Sequence, residues 1–538
     1  MAAAATSRRP GHAIASSAAL AVAGLTLLGF AIRLANFDQS LLGDELSTYW
    51  IIHGHSLGDV LSSVRSNDEI TPPLYFILGW LSLKVNSDPE WVRLPSLLAG
   101  TATIPLVYLL GARTVGRAAG LVACAVFALS PFMIYYSDEA RSYALMIALL
   151  VGSTIALLIA LETARARWWA LYAACSCGAL LSHYTCVFPL AAQFLWVLWA
   201  HREAARPLLL ANLGALVGFA PWIPGFIADN NSPTTAILSA LQPFTFGAVR
   251  FAIENWAIGY PYVNLDTAPG HVAGVLILAG LVIAAAAASL RGWRRLRRSR
   301  MRAGAALRQI PPRIVLVALL ALATPVGEAI YSVFGTNLLG ARNLNASWPG
   351  LALAIGGIVT AAGAPLSLLC GALVLSGFAV AGVKTLDSDL ARTDYAGAAA
   401  LIEDRWKPGD VVVDAAPLTP VPLTGLDVYL PQTRPEFRPG LPVSEHPFMV
   451  GDPVPPVNRV IGHAIASGRG HAIFLVTHVS SDALSNQVPR TAALRRESQS
   501  NAGRLLRRLP SGFAVAERKY LPGVAPLAVF VIRDRSAG

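Results

Sequence analysis

VAGVLILAGLVIAAAAASL, Val272–Leu290, carries no charge, and RGWRRLRRSR, Arg291–Arg300, follows it directly. At 1.5 Å per residue such a helix reaches close to the ~30 Å hydrocarbon core of a bilayer. An apolar run stopped by a block of arginine reads as a membrane span whose basic end stays in the cytoplasm. Ile14–Ile32, Leu94–Ala112, Tyr143–Leu161 and Leu344–Thr360 are comparable runs. The whole chain is 54% hydrophobic and only 14% charged, where soluble domains carry roughly a quarter charged residues. The fold class is a polytopic α-helical membrane protein.

The net charge of +11 comes almost wholly from Arg. These residues fall in short clusters between apolar runs, as the positive-inside rule expects, so no nucleic-acid partner is implied. Arg8-Arg9, Arg113/Arg117, Arg165/Arg167, Arg202/Arg206 and Arg291–Arg313 are then cytoplasmic. Between them lie spans at 14–34, 94–112, 118–136, 142–162, 168–182, 185–200, 207–227, 271–290, 314–334, 344–362 and 366–384, about eleven in all. The first is expected to stay uncleaved; the N-terminus is inside and the C-terminus outside. PLYFILGWLSLKV, Pro73–Val85, is apolar but covers only about 20 Å. It is placed flat at the outer interface as a juxtamembrane helix, which makes Asn36–Arg93 one long external loop.

From Thr385 the composition turns polar. Asp394–Trp406 reads as an amphipathic helix; Val411–Val413, Ala472–Thr477 and Leu527–Ile532 read as strands. The expected organisation is a transmembrane domain over 1–384, with its catalytic loop at 36–93, and a small extracytoplasmic α/β domain over 385–538. The five cysteines, Cys124, Cys175, Cys177, Cys186 and Cys370, all fall inside spans and read as small packing residues.

Chemistry-bearing residues gather in the outer loops. Asp44-Glu45 follows the first span and Asp138-Glu139 sits between the third and fourth. Acids at a membrane face are costly unless solvated, paired or used. A carboxylate there suits a general base that takes a proton from an acceptor hydroxyl; the alternative is a wetted loop. Arg342, Arg141 and Arg93 are the candidate cations for a phosphate. His183-Tyr184, at an outer turn, is a structural pair or a contact for an acceptor or a metal. Glu328 lies within a span.

The order of these pieces resembles a known family. The acidic pair, TPPLYF (Thr71–Phe76), Arg93-Leu94-Pro95-Ser96, the Gly111-to-Gly116 turn and LSPFMIYYSDEARSYAL (Leu129–Leu145) look like the bacterial GT-C glycosyltransferases. The likeness is to the branch near the dolichyl-phosphate-mannose protein mannosyltransferases (family 39) and the aminoarabinose transferases. It is strongest over about residues 30–150, and is present again at Arg342, at Trp348-Pro349 and at the start of the C-terminal region. The resemblance implies a GT-C-type fold with its site on the outer side of the bacterial cytoplasmic membrane, under juxtamembrane helices. It also implies a polyprenyl-phosphate-linked sugar donor and inversion at the anomeric carbon. By that resemblance Asp44 is the general base and Glu45 its helper or an acceptor contact. Asp138 and Glu139 organise the site or a metal, and Arg342 meets the donor phosphate. The family pattern has Arg-Tyr-Leu where this chain has Arg342-Asn343-Leu344. Metal use varies within the superfamily, so a divalent ion is left open. The acceptor is a protein, a lipid or a cell-wall glycan. The rival reading is a transporter or flippase of a lipid-linked sugar, toward which only Glu328 leans.

Overall fold

The computed structural model describes residues 10–66, 69–232, 244–259, 262–263, 267–299, 310–335, 337, 339–416, 424–430, 434–441, 454–479 and 489–535. It divides into two compact units. The first is Met1–Ala35, Gly54–Ser82 and Arg93–Thr385; the second is Asn36–His53, Leu83–Val92 and Leu386–Gly538. The units therefore do not follow a single cut at residue 385. Two pieces of the 36–93 segment group with the C-terminal region.

In chain order the first half of the sequence forms α1 (Pro10–Leu34), α2 (Asp44–Ile52), α3 (Leu57–Arg65), α4 (Leu74–Val85), α5 (Leu94–Thr114), α6 (Arg117–Leu129), α7 (Pro131–Ser137), α8 (Tyr143–Thr163), α9 (Ala166–Leu180), α10 (Val187–Ala200), α11 (Ala205–Phe219) and α12 (Ile223–Asn230). Then come α13 (Phe246–Ile258), α14 (Val272–Ser299), α15 (Pro312–Phe334), α16 (Trp348–Ala361) and α17 (Leu366–Lys384). Among the described residues, 8 helices are long and apolar enough to cross a membrane, and α6 with α7 makes a ninth if counted as one bent span. The remaining two expected spans are the shorter helices α9 and α10.

The expected span 118–136 is not one helix. It bends by 62° between α6 and α7, because Pro131 has no N–H to continue the ladder. Ser130 restarts the helix, its Oγ accepting from the Met133 N–H at 3.3 Å.

Helix ends distant in sequence meet at opposite poles of the first unit. At one pole Glu162, closing α8, pairs with Arg113 at 3.1 Å and with Arg313 at 2.9 Å. Arg313 also donates to the Arg113 carbonyl at 3.0 Å. This is the grouping of ends that the basic clusters predict. At the other pole Ser96 donates to the Arg141 carbonyl at 2.9 Å, and the Leu74 N–H donates to the Leu181 carbonyl at 3.0 Å.

The second unit is built on a mixed sheet of β1 (Val411–Asp414), β2 (Glu436–Phe437), β3 (Ala472–His478), β4 (Phe513–Leu521) and β5 (Leu527–Asp534). Their spatial order is β2-β1-β3-β5-β4. β1 runs parallel to β2 and β3, and β5 is antiparallel to β3 and β4. The alternation of a strand puts Val412, Phe474, Val529 and Val531 on one face, under Tyr395, Ala398 and Ile402 of α18 (Tyr395–Arg405). The opposite side chains, Val411, Val413, Ile473, Leu475 and Ile532, pack under Ile461 and Ala464 of α20 (Val457–Ser467) and Leu505 of α21 (Pro489–Arg508). A short α19 (Leu426–Tyr429) completes the unit. β3 is buried at every position, as the centre of a three-layer sandwich requires.

Candidate active site

Asp44 and Glu45 belong to the second unit and the other candidates to the first. Gly43 precedes the acids at φ 61°, ψ −124°, a conformation open to glycine and strained for residues with a Cβ. The chain then enters α2, so both acids occupy its first turn, where the helix dipole favours negative charge. The two carboxylates meet different surroundings. Glu45 is fully buried, accepts the Leu42 N–H at 3.1 Å and forms an ion pair with Arg392 at 3.2 Å. Asp44 is only half-buried.

In the first unit, α7 delivers Ser137 against α5. A Cβ on Gly100 would lie 2.1 Å from Ser137 Oγ, so only glycine lets the two helices approach this closely. Beyond Ser137 the loop carries Asp138, Glu139 and Arg141, all buried. Tyr135 donates to Glu139 Oε1 at 3.3 Å. Arg141 meets an acid that lies far away in sequence. Its guanidinium donates to both oxygens of Glu69, at 2.6 and 2.9 Å, and to Thr71 Oγ1 at 3.1 Å. Glu69 also accepts from the Thr71 hydroxyl at 2.8 Å and the Ile70 N–H at 3.0 Å. This bidentate pair fastens the loop after Ser137 to the segment at Glu69–Thr71. Arg93 is fully buried.

The bend before this loop has its own support. Arg33, fully buried near the end of α1, donates to the carbonyls of Ala128 at 3.1 Å and Phe127 at 3.5 Å. The Phe127 carbonyl is the acceptor that Pro131, four residues on, leaves without its helical donor. Arg33 also lies within electrostatic reach of Asp138.

Arg342 sits on a 3-10 turn, Ala341–Ser347, pinned to α15. There Thr324 donates its N–H to Ser347 Oγ at 2.8 Å and its hydroxyl to the Leu344 carbonyl at 3.1 Å. The Arg342 side chain is half-buried. The His183 ring packs against Tyr143 at a 40° tilt, with ring centroids 5.1 Å apart. Burial, with the nearby charges of Arg141 and Arg342, pushes its imidazole down to about 3. His183 Nδ1 accepts the Thr185 N–H at 3.3 Å, which leaves Nε2 as the protonated nitrogen. Arg141, His183 and Arg342 are thus brought together. Tyr184 turns elsewhere: its hydroxyl is bonded to Asp229 and accepts from Trp222 Nε1 at 3.0 Å. Glu328 is buried within α15.

Sequence reasoning missed Glu69, Asp229, Arg33 and Arg392. Among the described residues no group of three or more His, Cys, Asp and Glu side chains is placed to hold a metal.

Residues 71–224 match the family model described as dolichyl-phosphate-mannose-protein mannosyltransferase. No curated protein matches the chain. Among solved structures, ArnT from Cupriavidus metallidurans bound to undecaprenyl phosphate is 13% identical, with a TM-score of 0.38 over 95% of this chain and 97% of that chain. The same protein in the apo state is 14% identical, with a TM-score of 0.41 over 98% and 99%. AglB from Archaeoglobus fulgidus, an archaeal oligosaccharyltransferase in complex with an inhibitory peptide and a dolichol-phosphate, is 10% identical, with a TM-score of 0.47 over 85% of this chain and 69% of that chain. The sequence match is confined to residues 71–224, where the chain is similar to that mannosyltransferase family.

Proposed function

We propose that this protein is an inverting transferase that moves a sugar from a polyprenyl-phosphate donor to an acceptor hydroxyl at the outer face of a bacterial cytoplasmic membrane. The observation that carries the reading is the split within the acidic pair. Glu45 is sealed against Arg392, while Asp44 keeps part of its surface at the start of α2. One carboxylate holds the structure and the other can meet a substrate.

In the proposed step the acceptor oxygen attacks the anomeric carbon as the bond from that carbon to the phosphate oxygen breaks. The electron pair leaves with polyprenyl phosphate, and Asp44 takes the hydroxyl proton. Inversion needs a single carboxylate and no covalent enzyme intermediate. Arg342, half-buried beside neutral His183, is assigned to the departing phosphate, whose charge a guanidinium fork matches. Asp138 and Glu139 are assigned to organising the site, on a loop held by the Glu69–Arg141 pair.

The test uses the protein in proteoliposomes with tritiated mannose, arabinose or galactose on undecaprenyl phosphate, and cell-envelope protein, lipid and glycan fractions as acceptors. Transfer in the wild type that falls by about 1,000-fold or more in Asp44→Asn is expected, the range a lost general base and its positioning account for together. Full transfer in Asp44→Asn would overturn Asp44 as the base, and donor crossing the bilayer with no transfer in the wild type would overturn the reading in favour of transport.

A further inference from the structure

The segment that presents Asp44 is fastened at successive points to the chain beyond residue 386. Gln39 Oε1 accepts the Arg392 N–H at 2.9 Å, and Ser40 Oγ accepts the Ala396 N–H at 2.9 Å. The Leu41 N–H donates to the Tyr429 hydroxyl at 2.8 Å, which itself donates to Glu90 Oε1 at 2.8 Å. Leu42 packs against the apolar cluster around Tyr395, Phe474 and Val529. Glu45 ends the series on the Arg392 guanidinium. All of these residues lie within the second unit.

A buried ion pair is weak evidence for stability, because two apolar side chains of similar volume often serve as well; its better-attested use is to fix one arrangement. Here the pair grips the residue next to Asp44. Glu45 also holds the Leu42 N–H, so Arg392 and the turn at 42–45 share one carboxylate.

We propose that Arg392 is a positioning residue for Asp44: through Glu45 it sets the rotation of the first turn of α2, and so makes the C-terminal region part of the catalytic apparatus rather than an appended acceptor selector. This rests on the reading of Asp44 as the base. Misplacing a reacting group by 1 Å costs about 100-fold in rate, so the clamp governs turnover more than binding.

The experiment compares wild type, Arg392→Gln, Arg392→Lys, Glu45→Gln and Asp44→Asn, all full-length and in nanodiscs. Hydrogen exchange is read at the amides of 41–47, and transfer is measured with the donor panel above. Arg392→Gln and Glu45→Gln are each expected to raise exchange at Leu42 and in the first turn of α2. They should lower kcat by about 100-fold while donor KM stays within about two-fold, and Arg392→Lys should recover part of kcat. Unchanged exchange at 41–47 in Arg392→Gln overturns the clamp. So does accelerated exchange with undiminished kcat while Asp44→Asn is inactive. Full activity in Asp44→Asn instead overturns the base and leaves the exchange result to decide the clamp alone.

Discussion

Glu69 receives both arms of the Arg141 guanidinium, at 2.6 and 2.9 Å, with both side chains almost wholly buried. Removing one partner strands the other charge. Glu69→Ala or Arg141→Ala is therefore expected to destabilise the first unit by about 3–5 kcal/mol. The double replacement Glu69→Leu/Arg141→Leu should cost less than the sum of the two single ones. Thermal melts in one detergent decide this, and additive losses would show that the pair does not act as a unit.

Arg33 and Pro131 form a second coupled set. Arg33→Gln takes the donor from the Phe127 carbonyl, with an expected loss of about 1–3 kcal/mol. Pro131→Ala returns the missing backbone N–H to the same carbonyl. The second substitution should thus recover stability in the Arg33→Gln background, whereas in the wild type it straightens the 62° bend and displaces Asp138. A double-mutant cycle with no coupling energy would refute the shared acceptor.

Arg342 is expected to act on the leaving phosphate. Arg342→Gln should lower kcat by about 100-fold or more, the range for a lost transition-state donor. Arg342→Lys should recover only part of it, because an ammonium lacks the two-pronged fork. Steady-state transfer with varied donor separates this from a binding role, in which KM alone would rise.

His183 is held down to about 3, chiefly by burial and then by Arg141 and Arg342, so it is neutral throughout the range from pH 5 to 8. Transfer should show no inflection there that belongs to it. His183→Gln should give a pH profile of unchanged shape even if its height falls. A lost acidic limb in the variant would mean that the imidazole does titrate in that range.

In the second unit, burial raises Asp414 to about 6 and Asp427 to about 7, with Glu436 adding to both. Both values lie above the ordinary 3.8 of an aspartate. The folded form thus binds these protons more tightly than the unfolded chain does. The associated stability is fully present below the ordinary carboxylate range and is lost as pH rises through 6 and 7. Protection factors of the β1 and β3 amides are expected to fall between pH 5 and 8, and to fall less in Asp414→Asn. Protection that grows over that interval would reverse the assignment.

Much of the first unit could be read in advance because lipid imposes a simple rule. The run Val272–Leu290 and the arginines after it state a helix without reference to any other part of the chain. The same holds for Tyr395–Arg405 and for strands β1, β3 and β5, whose periodicity is local. What escaped depends on partners far away in sequence. Glu69 looks like one more polar residue in SNDEITPP until Arg141, seventy-two positions later, closes on it. Arg392 is one of thirty-eight arginines until Glu45 is placed beside it. Pro131 was legible in principle: a proline inside an apolar stretch marks a break, and the expected span 118–136 ran through it.

Gly43 carries a consequence for anyone altering this protein. Its backbone has the opposite handedness to the residues around it, and the heading of the neighbouring carboxylate is inherited from that reversal. A D-alanine introduced there by semisynthesis would suit the local geometry, whereas the natural L-isomer would twist the start of α2. Surveys that rank positions by reactive side chains would pass over a residue that has none.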